Sequence, residues 1–590
     1  MTSSASGAAP VSRPALGLWL CLAALALLRL AFAWDHSMWA WGWSLLRFVE
    51  PITGWLLWLL SALALIPPLA RAALPWARRA GESLAAGRQG ATVLAGIVFL
   101  ILLLQPDRLH LVGDFLLRTG TAERALHPSK LYPQALPLDV LLHFTLPLAV
   151  SDSGVLDANG AARLLGAIEA ALLALAACAF ARALALRGGV ALAAAAVAFF
   201  GGALGLFTGY GKAVAELTVL SFAVVAAGIR LTRDPKAGWS LALCVALGLF
   251  LHRSALALLP AAAYAWWRSW RTAGAEARRP AALLPIALVL AVLAFMLPRI
   301  VATMLRWDPV HFAPPEVARQ GGMLRAAVLP LHLIDLLDVL VLMSPLVPAG
   351  LWLAAAGERS NSQDLCWIVL LVTVPWWPLL PLIHPPQGTF RDWDDFAPAG
   401  ATLSLWTATL LGLCLRRRPR WQWLGVAAAL GAVAPAEQWL AHQLDLGRGL
   451  ARVQAYLAGP PARPAAELGL TWDWLGIRAA QLSRWDLAAQ SLSRAAETTP
   501  SPRVLSEWGL AERERGNEAH AQELFRRVTV LTPEEPNAWY RLAASSWRLG
   551  DYDECLRATL QLQRLKPDDE TVTHMLDDLE RVMPLHEPPR

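Results

Sequence analysis

Charge is scarce in this 590-residue chain: 16% of residues are Asp, Glu, Lys or Arg, against 56% hydrophobic, and the mean hydropathy is +0.44. Soluble domains carry about 25% charged residues, so the deficit predicts an integral membrane protein. Paired cysteines are missing as well. Cys21, Cys178, Cys244, Cys366 and Cys414 lie in apolar stretches and only Cys555 in a polar one, which argues against disulfides and against Cys-ligated metal. Nor is there a contiguous basic face. The net charge of +6 comes from short Arg clusters between apolar runs, so no nucleic-acid partner is expected. Lysine is rare beside abundant Ala, Leu and Arg, a composition consistent with a GC-rich bacterial source. The first apolar run, from Pro14 to Trp34, is long for a signal-peptide core and lacks a small-residue cleavage site, so it reads as a retained span.

What is present divides into two parts. Up to about residue 440 the chain alternates apolar runs with short basic loops, and from 441 onward it has polar helical patterning. Spans of about 20 apolar residues are expected at 14–34, 52–70, 91–105, 161–183, 189–207, 213–230, 281–298, 333–355, 365–383, 396–415 and 421–438. The stretch 238–267 is interrupted by His252 and Arg253. The clusters at Arg71 to Arg88, Arg182 and Arg187, Arg230 to Lys236, Arg268 to Arg279 and Arg416 to Arg420 share one side only if this stretch crosses twice. That parity makes about 13 spans, with the N-terminus cytoplasmic, the tail periplasmic, and loops 35–51, 106–160, 208–212, 299–332 and 384–395 outside. The expected localisation is a bacterial inner membrane.

The expected domains are a pair of spans at 1–90, a transmembrane core at 91–440, a connecting helix and linker at 441–468, and repeats with a capping helix at 469–590. The repeats have a period near 34: Pro500, Pro533 and Pro567 recur, Gly516 and Gly550 recur, and Ala488, Ala521 and Cys555 fall in register. With Trp472, Leu475, Gly476, Leu492, Ala495, Trp508, Gly509, Phe525, Trp539 and Leu542 at matching offsets, the region resembles tetratricopeptide repeats. Small residues serve the close helix crossings and large ones fill the grooves. Such repeats act either as a spacer or as a groove for a partner or acceptor chain.

Four segments carry polar groups to the expected outer face. The first reads His110 to Gly113, Asp114 and Arg118, then Glu123, His127, Lys130 and Tyr132. Asp114 suits proton acceptance from a hydroxyl, or alternatively a helix cap or a pair with Arg118. Arg118 and Lys130 could meet a lipid phosphate. The second is the turn Phe207 to Lys212, where Tyr210 and Lys212 precede Glu216. It is either a phosphate contact or a glycine hairpin with a snorkelling lysine. In the third, His252 and Arg253 form either a phosphate-binding pair or a helix break beside headgroups.

The fourth runs from His384 to Phe396 and holds Arg391, Asp392, Trp393, Asp394 and Asp395. Carboxylates and an indole suit a sugar, and Arg391 suits a phosphate. The three carboxylates are alternatively divalent-cation ligands, or the group is an internal ion pair with an interface tryptophan. Loop 299–332, with Arg306, Asp308, His311, Glu316 and Arg319, has no catalytic spacing and suits a lid. Asp139 and His143, four apart on an apolar helix, read as an acid–base pair or, more simply, as a polar stripe facing water.

An external loop with an Asp near its start, two juxtamembrane stretches and a bundle of uneven spans resembles the GT-C superfamily of membrane glycosyltransferases. The layout is similar to protein O-mannosyltransferases and, through the repeats, to transmembrane tetratricopeptide O-mannosyltransferases. The likeness covers about 91–440 in topology and only Gly113-Asp114 in motif, with one Asp where the protein O-mannosyltransferases carry an Asp-Glu pair. It implies a polyprenyl-phosphate sugar donor, Asp114 as general base, and a protein or glycan acceptor, without a soluble cofactor. A lipid-linked-glycan polymerase or ligase, or a transporter or envelope scaffold without catalysis, are the alternatives. The expected fold is all-α, a polytopic bundle followed by a solenoid.

Overall fold

The computed structural model describes residues 12–112, 134–272, 280–357 and 363–583. Helices make up all their regular structure, and no strand occurs among the described residues. The chain forms two compact units, Met1–Pro461 and Ala462–Arg590.

Among the described residues of the first unit, seven helices are long and apolar enough to cross a membrane: Arg13–Trp34, Ala158–Ala183, Val214–Leu231, Leu283–Arg306, Asp364–Leu382, Trp393–Arg416 and Leu424–Leu444. Two bent pairs raise the number to nine, Pro51–Leu63 with Pro67–Leu84 and Pro330–Met343 with Val347–Ala355, each turning by 97°. These bends fall inside 52–70 and 333–355, which were expected to be continuous. Prolines explain them: Pro67 and Pro68 open one second helix, and Pro345 lies in the other break with Pro348 in the first turn after it. A proline has no amide hydrogen to continue the helical ladder, and it turns the preceding residue away from helical geometry. Further expected spans fall on the shorter apolar helices Gln89–Leu104, Gly188–Phe199 and Pro235–Leu251. The count of thirteen is therefore larger than the number of helices that meet the length and apolarity requirement.

The break expected near His252 is present. Gly238–Leu251 ends there, a 3₁₀ turn runs Arg253–Leu258, and Leu259–Thr272 continues. At the centre lies Ala397–Arg416, buried at every residue from Ala397 to Leu415. Such a helix can be apolar all round because it has no solvent-facing stripe to maintain. Carboxylates start two others: Glu50 accepts from the amides of Ile52 and Thr53 at 3.0 and 2.7 Å, and Asp157 accepts from that of Gly160 at 2.6 Å. Each satisfies donors that the first helical turn leaves open.

The helix Leu446–Ala458, expected to be a connector, belongs to the first unit. Its Arg452 is fully buried among Trp41, Phe390 and Trp439, with guanidinium-to-ring distances of 6.0, 4.9 and 5.6 Å.

The described residues of the second unit form three helix pairs and one further helix. The pairs are Ala465–Gln481 with Trp485–Thr498, Pro502–Glu514 with Glu518–Leu531, and Pro536–Leu549 with Tyr552–Leu565, followed by Glu570–Val582. Ala488, Ala521 and Cys555 are each fully buried. A Cβ added at Gly476 would lie 2.5 Å from Leu492 Cγ, and one at Gly509 would lie 2.6 Å from Phe525 Cε1, so the expected close crossings do require glycine. Thr559, in the place of an aromatic, is buried and donates to the Cys555 carbonyl at 2.8 Å.

Candidate functional site

Two tight turns build the site. In the first, Gly209 and Gly211 take φ of 108° and 62°, and a Cβ at Gly209 would lie 2.7 Å from Arg163 Cγ. Only glycine combines that backbone with that approach, and the turn delivers Tyr210 and Lys212 to the start of Val214–Leu231. In the second, the Asp392 amide donates to the Gly388 carbonyl at 3.0 Å, and the turn Trp393–Phe396 leads into the central helix. Aromatic packing anchors this loop. Phe390 stacks on Tyr456 with centroids 4.0 Å apart and meets Trp41 edge-on at 5.4 Å, while Trp393 meets Trp439 edge-on at 5.4 Å.

These turns come together although 182 residues separate them. Lys212 Nζ donates to Asp394 Oδ2 at 2.5 Å and lies 3.8 Å from Asp395 Oδ1. Tyr210 donates its hydroxyl hydrogen to Asp394 at 3.0 Å. Asp395 Oδ2 also faces His311 Nδ1 at 3.2 Å, and Arg253 reaches Asp308 at 2.6 Å. The His252 Nδ1 accepts from the Ser254 amide at 3.2 Å, and its Nε2 lies 3.1 Å from Arg253 Nη1. Lys212, His252, Arg253, Asp308, His311 and Asp395 line one cavity of about 460 Å³, together with Asp139. Trp307, Phe312, Trp376, Leu379 and Ile383 supply its apolar wall.

Of the residues singled out in the sequence, Lys212, His252, Arg253 and Asp395 thus share one chamber. Tyr210, Asp392 and Asp394 do not line it, and Arg391 is buried with Nε 3.4 Å from the Leu111 carbonyl oxygen. Trp393 is 1% exposed and does not line the cavity, so its ring is a packing group and not a sugar platform. Asp114, Arg118 and Lys130, with His127 and Tyr132, lie outside the described residues. Asp392, Asp394 and Asp395 were an alternative set of divalent-cation ligands. Among the described residues they bring no set of ligand atoms together, and the Asp394 carboxylate is engaged by Tyr210 and Lys212.

Sequence reasoning missed the part played by Asp308 and His311, which join the chamber from loop 299–332. No short-range spacing marks them, because their partners are Arg253 and Asp395. Asp139 and His143 are not a water-facing stripe either. Their side chains are 6% and 1% exposed, and Asp139 Oδ1 lies 2.8 Å from His143 Nδ1. Burial disfavours charge on that imidazole, but the Glu216 carboxylate and then the contact with Asp139 hold its pKa up at about 10.

No protein-family model and no curated protein matches the chain. Among solved structures, the crystal structure of the APC/C hetero-tetramer Cut9-Hcn1 is similar at 12% identity over 80% of this chain and 99% of that one, with a TM-score of 0.20. A likeness at that score carries no weight for overall fold or function. The helix pairs themselves decide the second unit. It is a tetratricopeptide-like solenoid.

Two groups of the site make stability fall as pH rises. Burial, then Asp395 and Asp394, raise the Asp392 carboxyl from 3.8 to about 8. It stays protonated when folded while the unfolded chain ionises, so stability declines between those values. Burial opposes charge on His311, yet Asp395 raises its pKa above 6.5. Its contribution is full below 6.5 and is lost as pH climbs through the folded value. The melting temperature of the purified chain in detergent should therefore fall from pH 6 to pH 9, and His311→Gln should flatten the upper part. An identical profile in that variant would remove His311 from the account.

Proposed function

We propose that this chain is a multi-pass membrane glycosyltransferase that moves a sugar from a polyprenyl-phosphate donor to a protein or glycan hydroxyl on the extracytoplasmic side. The observation that carries the reading is the single cavity in which Lys212, Arg253 and His252 face carboxylates beside a wall of Trp307, Phe312, Trp376 and Leu379. Cations meet a phosphate through charge-assisted hydrogen bonds, carboxylates meet sugar hydroxyls, and the apolar wall suits an isoprenoid chain. The seven to nine apolar helices support insertion into a bilayer, and the basic clusters between them support a bacterial inner-membrane orientation with the repeats outside.

In the reaction proposed, Asp114 takes the proton of the acceptor hydroxyl as its oxygen bonds to the anomeric carbon and the bond from that carbon to the phosphate oxygen breaks. The departing phosphate keeps the electron pair. It needs electrostatic stabilisation and no proton, which Lys212 and Arg253 would supply in a partly dehydrated chamber. A tetratricopeptide-like fold suggests protein–protein interaction, and here the repeats would dock a protein acceptor or partner.

The deciding experiment is transfer of labelled sugar by the detergent-purified chain from a panel of polyprenyl-phosphate donors. Asp114→Asn should reduce the rate by about 10²–10⁴-fold, the usual contribution of a positioned general base. Failure of the wild-type chain with every donor would favour a scaffold or transporter over an enzyme, and undiminished transfer by the variant would dismiss Asp114 as the base.

A further inference from the structure

A second polar cluster adjoins the chamber through Asp139. His143 stands in a π-helical turn, Leu141–Thr145, inside the helical stretch from Pro137 to Asp152. Such a turn inserts one residue into the helical ladder and displaces the side chains it carries, which is why π turns gather at functional positions. Glu169 comes from Ala158–Ala183 and Glu216 from the first turn of Val214–Leu231. One ligand atom from each of the three residues lies within 4.8 Å of the other two. His143 Nε2 is 3.1 Å from Glu216 Oε1.

Glu169 is 4% exposed and its Oε1 has no hydrogen-bond partner among the described residues, while the Glu216 side chain is 13% exposed and meets His143. A buried carboxylate beside a second, partly buried one is costly unless positive charge reaches the pair. The histidine is arranged to help supply it. Asp139 Oδ1, 2.8 Å from Nδ1, accepts a hydrogen bond from that nitrogen and turns Nε2 toward the carboxylates, so that a cation binding there would displace the Nε2 proton and take its lone pair. A carboxylate on the far nitrogen is the usual means of orienting a metal-binding imidazole.

We propose that His143, Glu169 and Glu216 form a binding site for a divalent transition-metal cation of the zinc or manganese class, with Asp139 as the positioning residue. One imidazole nitrogen and two carboxylate oxygens match the ligand preference of these ions, and a charge of two balances the two carboxylates. Metal–ligand distances of about 2.0–2.2 Å require small side-chain rotations to draw the ligand atoms together. Three protein ligands leave a coordination position free. The inference rests on this cluster alone and is independent of the sugar-transfer reading.

The test uses the full chain in detergent, stripped with chelator and then titrated with Zn²⁺ or Mn²⁺. Metal content is read by mass spectrometry, the Mn²⁺ signal by electron paramagnetic resonance, and stability by melting temperature. One cation per chain with a raised melting temperature is expected. Glu169→Gln and His143→Ala should lose it, and Asp139→Asn should weaken binding by about 10–100-fold. Substoichiometric metal with no change in melting would overturn the site in favour of a proton shared between Glu169 and Glu216. Undiminished binding in Glu169→Gln or Asp139→Asn would overturn it as well, since the cation would then sit elsewhere. Should Glu169→Gln fail to fold, the wild-type stoichiometry and Asp139→Asn decide.

Discussion

Lys212→Met should both destabilise the chain and stop the proposed transfer, and the two losses should be separable. The Lys212 side chain is 17% exposed and the Asp394 side chain it contacts is 1% exposed. Removing the cation leaves a buried carboxylate with a reduced set of partners. Breaking a buried pair from one side costs about 3–5 kcal/mol, whereas replacing both charged groups is often nearly neutral. Lys212→Met combined with Asp394→Asn should therefore recover most of the melting temperature, because the Asn side chain can still accept from the Tyr210 hydroxyl. Transfer should stay depressed in both variants by about 10²–10³-fold, the scale of a lost electrostatic contact to a departing anion. Melting curves and labelled-sugar transfer measured on the same preparations check this. Wild-type transfer by the double variant would remove the ammonium from donor binding, and unchanged melting of the single variant would show that the pair is solvated.

Arg452→Ala should be the other large effect, acting through the loop that carries the carboxylates. Arg452 Nη2 donates to the Trp41 carbonyl at 2.7 Å, and Trp41 Nε1 donates onward to Asp335 at 2.9 Å. Truncation removes a charge-assisted hydrogen bond and contact with three rings, and it opens a void beneath Phe390. Against this stands relief from burying a guanidinium, a cost reflected in a pKa pushed down by burial to about 9. The packing loss should win, at about 3 kcal/mol, because the aliphatic stem fills space as well as carrying charge. Arg452→Met keeps most of the stem and should recover over half of the loss. If Arg452→Ala melts like the wild type, the aromatic box does not hold the loop 384–396.

Much of the architecture is legible because it depends on neighbours in sequence. Apolar runs mark the helices, His252 and Arg253 mark the interruption between Gly238–Leu251 and Leu259–Thr272, and a period near 34 marks the helix pairs of the second unit. Glycines at 209 and 211 mark a turn that needs positive φ. The 97° bends were less legible, since an apolar run containing Pro67 or Pro345 reads the same whether the chain continues or folds back. Trp393 shows the same ambiguity for a side chain: an indole beside carboxylates reads as a sugar platform until Trp439 is seen against it.

The sequence by itself determined that the chain is helical, that its first three-quarters are apolar and its last quarter repetitive, and that polar groups gather in a few short segments. These properties follow from local preferences and from the transfer of side chains out of water, both of which composition and periodicity record. Only the tertiary structure decided which of those groups meet. Lys212 with Asp394, Arg253 with Asp308, His311 with Asp395, and His143 with Glu169 and Glu216 are pairings between separate helices and loops. No spacing encodes them. They arise because a buried charge is tolerated only where packing brings its counter-charge within a few ångströms, and that condition is met in space and not along the chain.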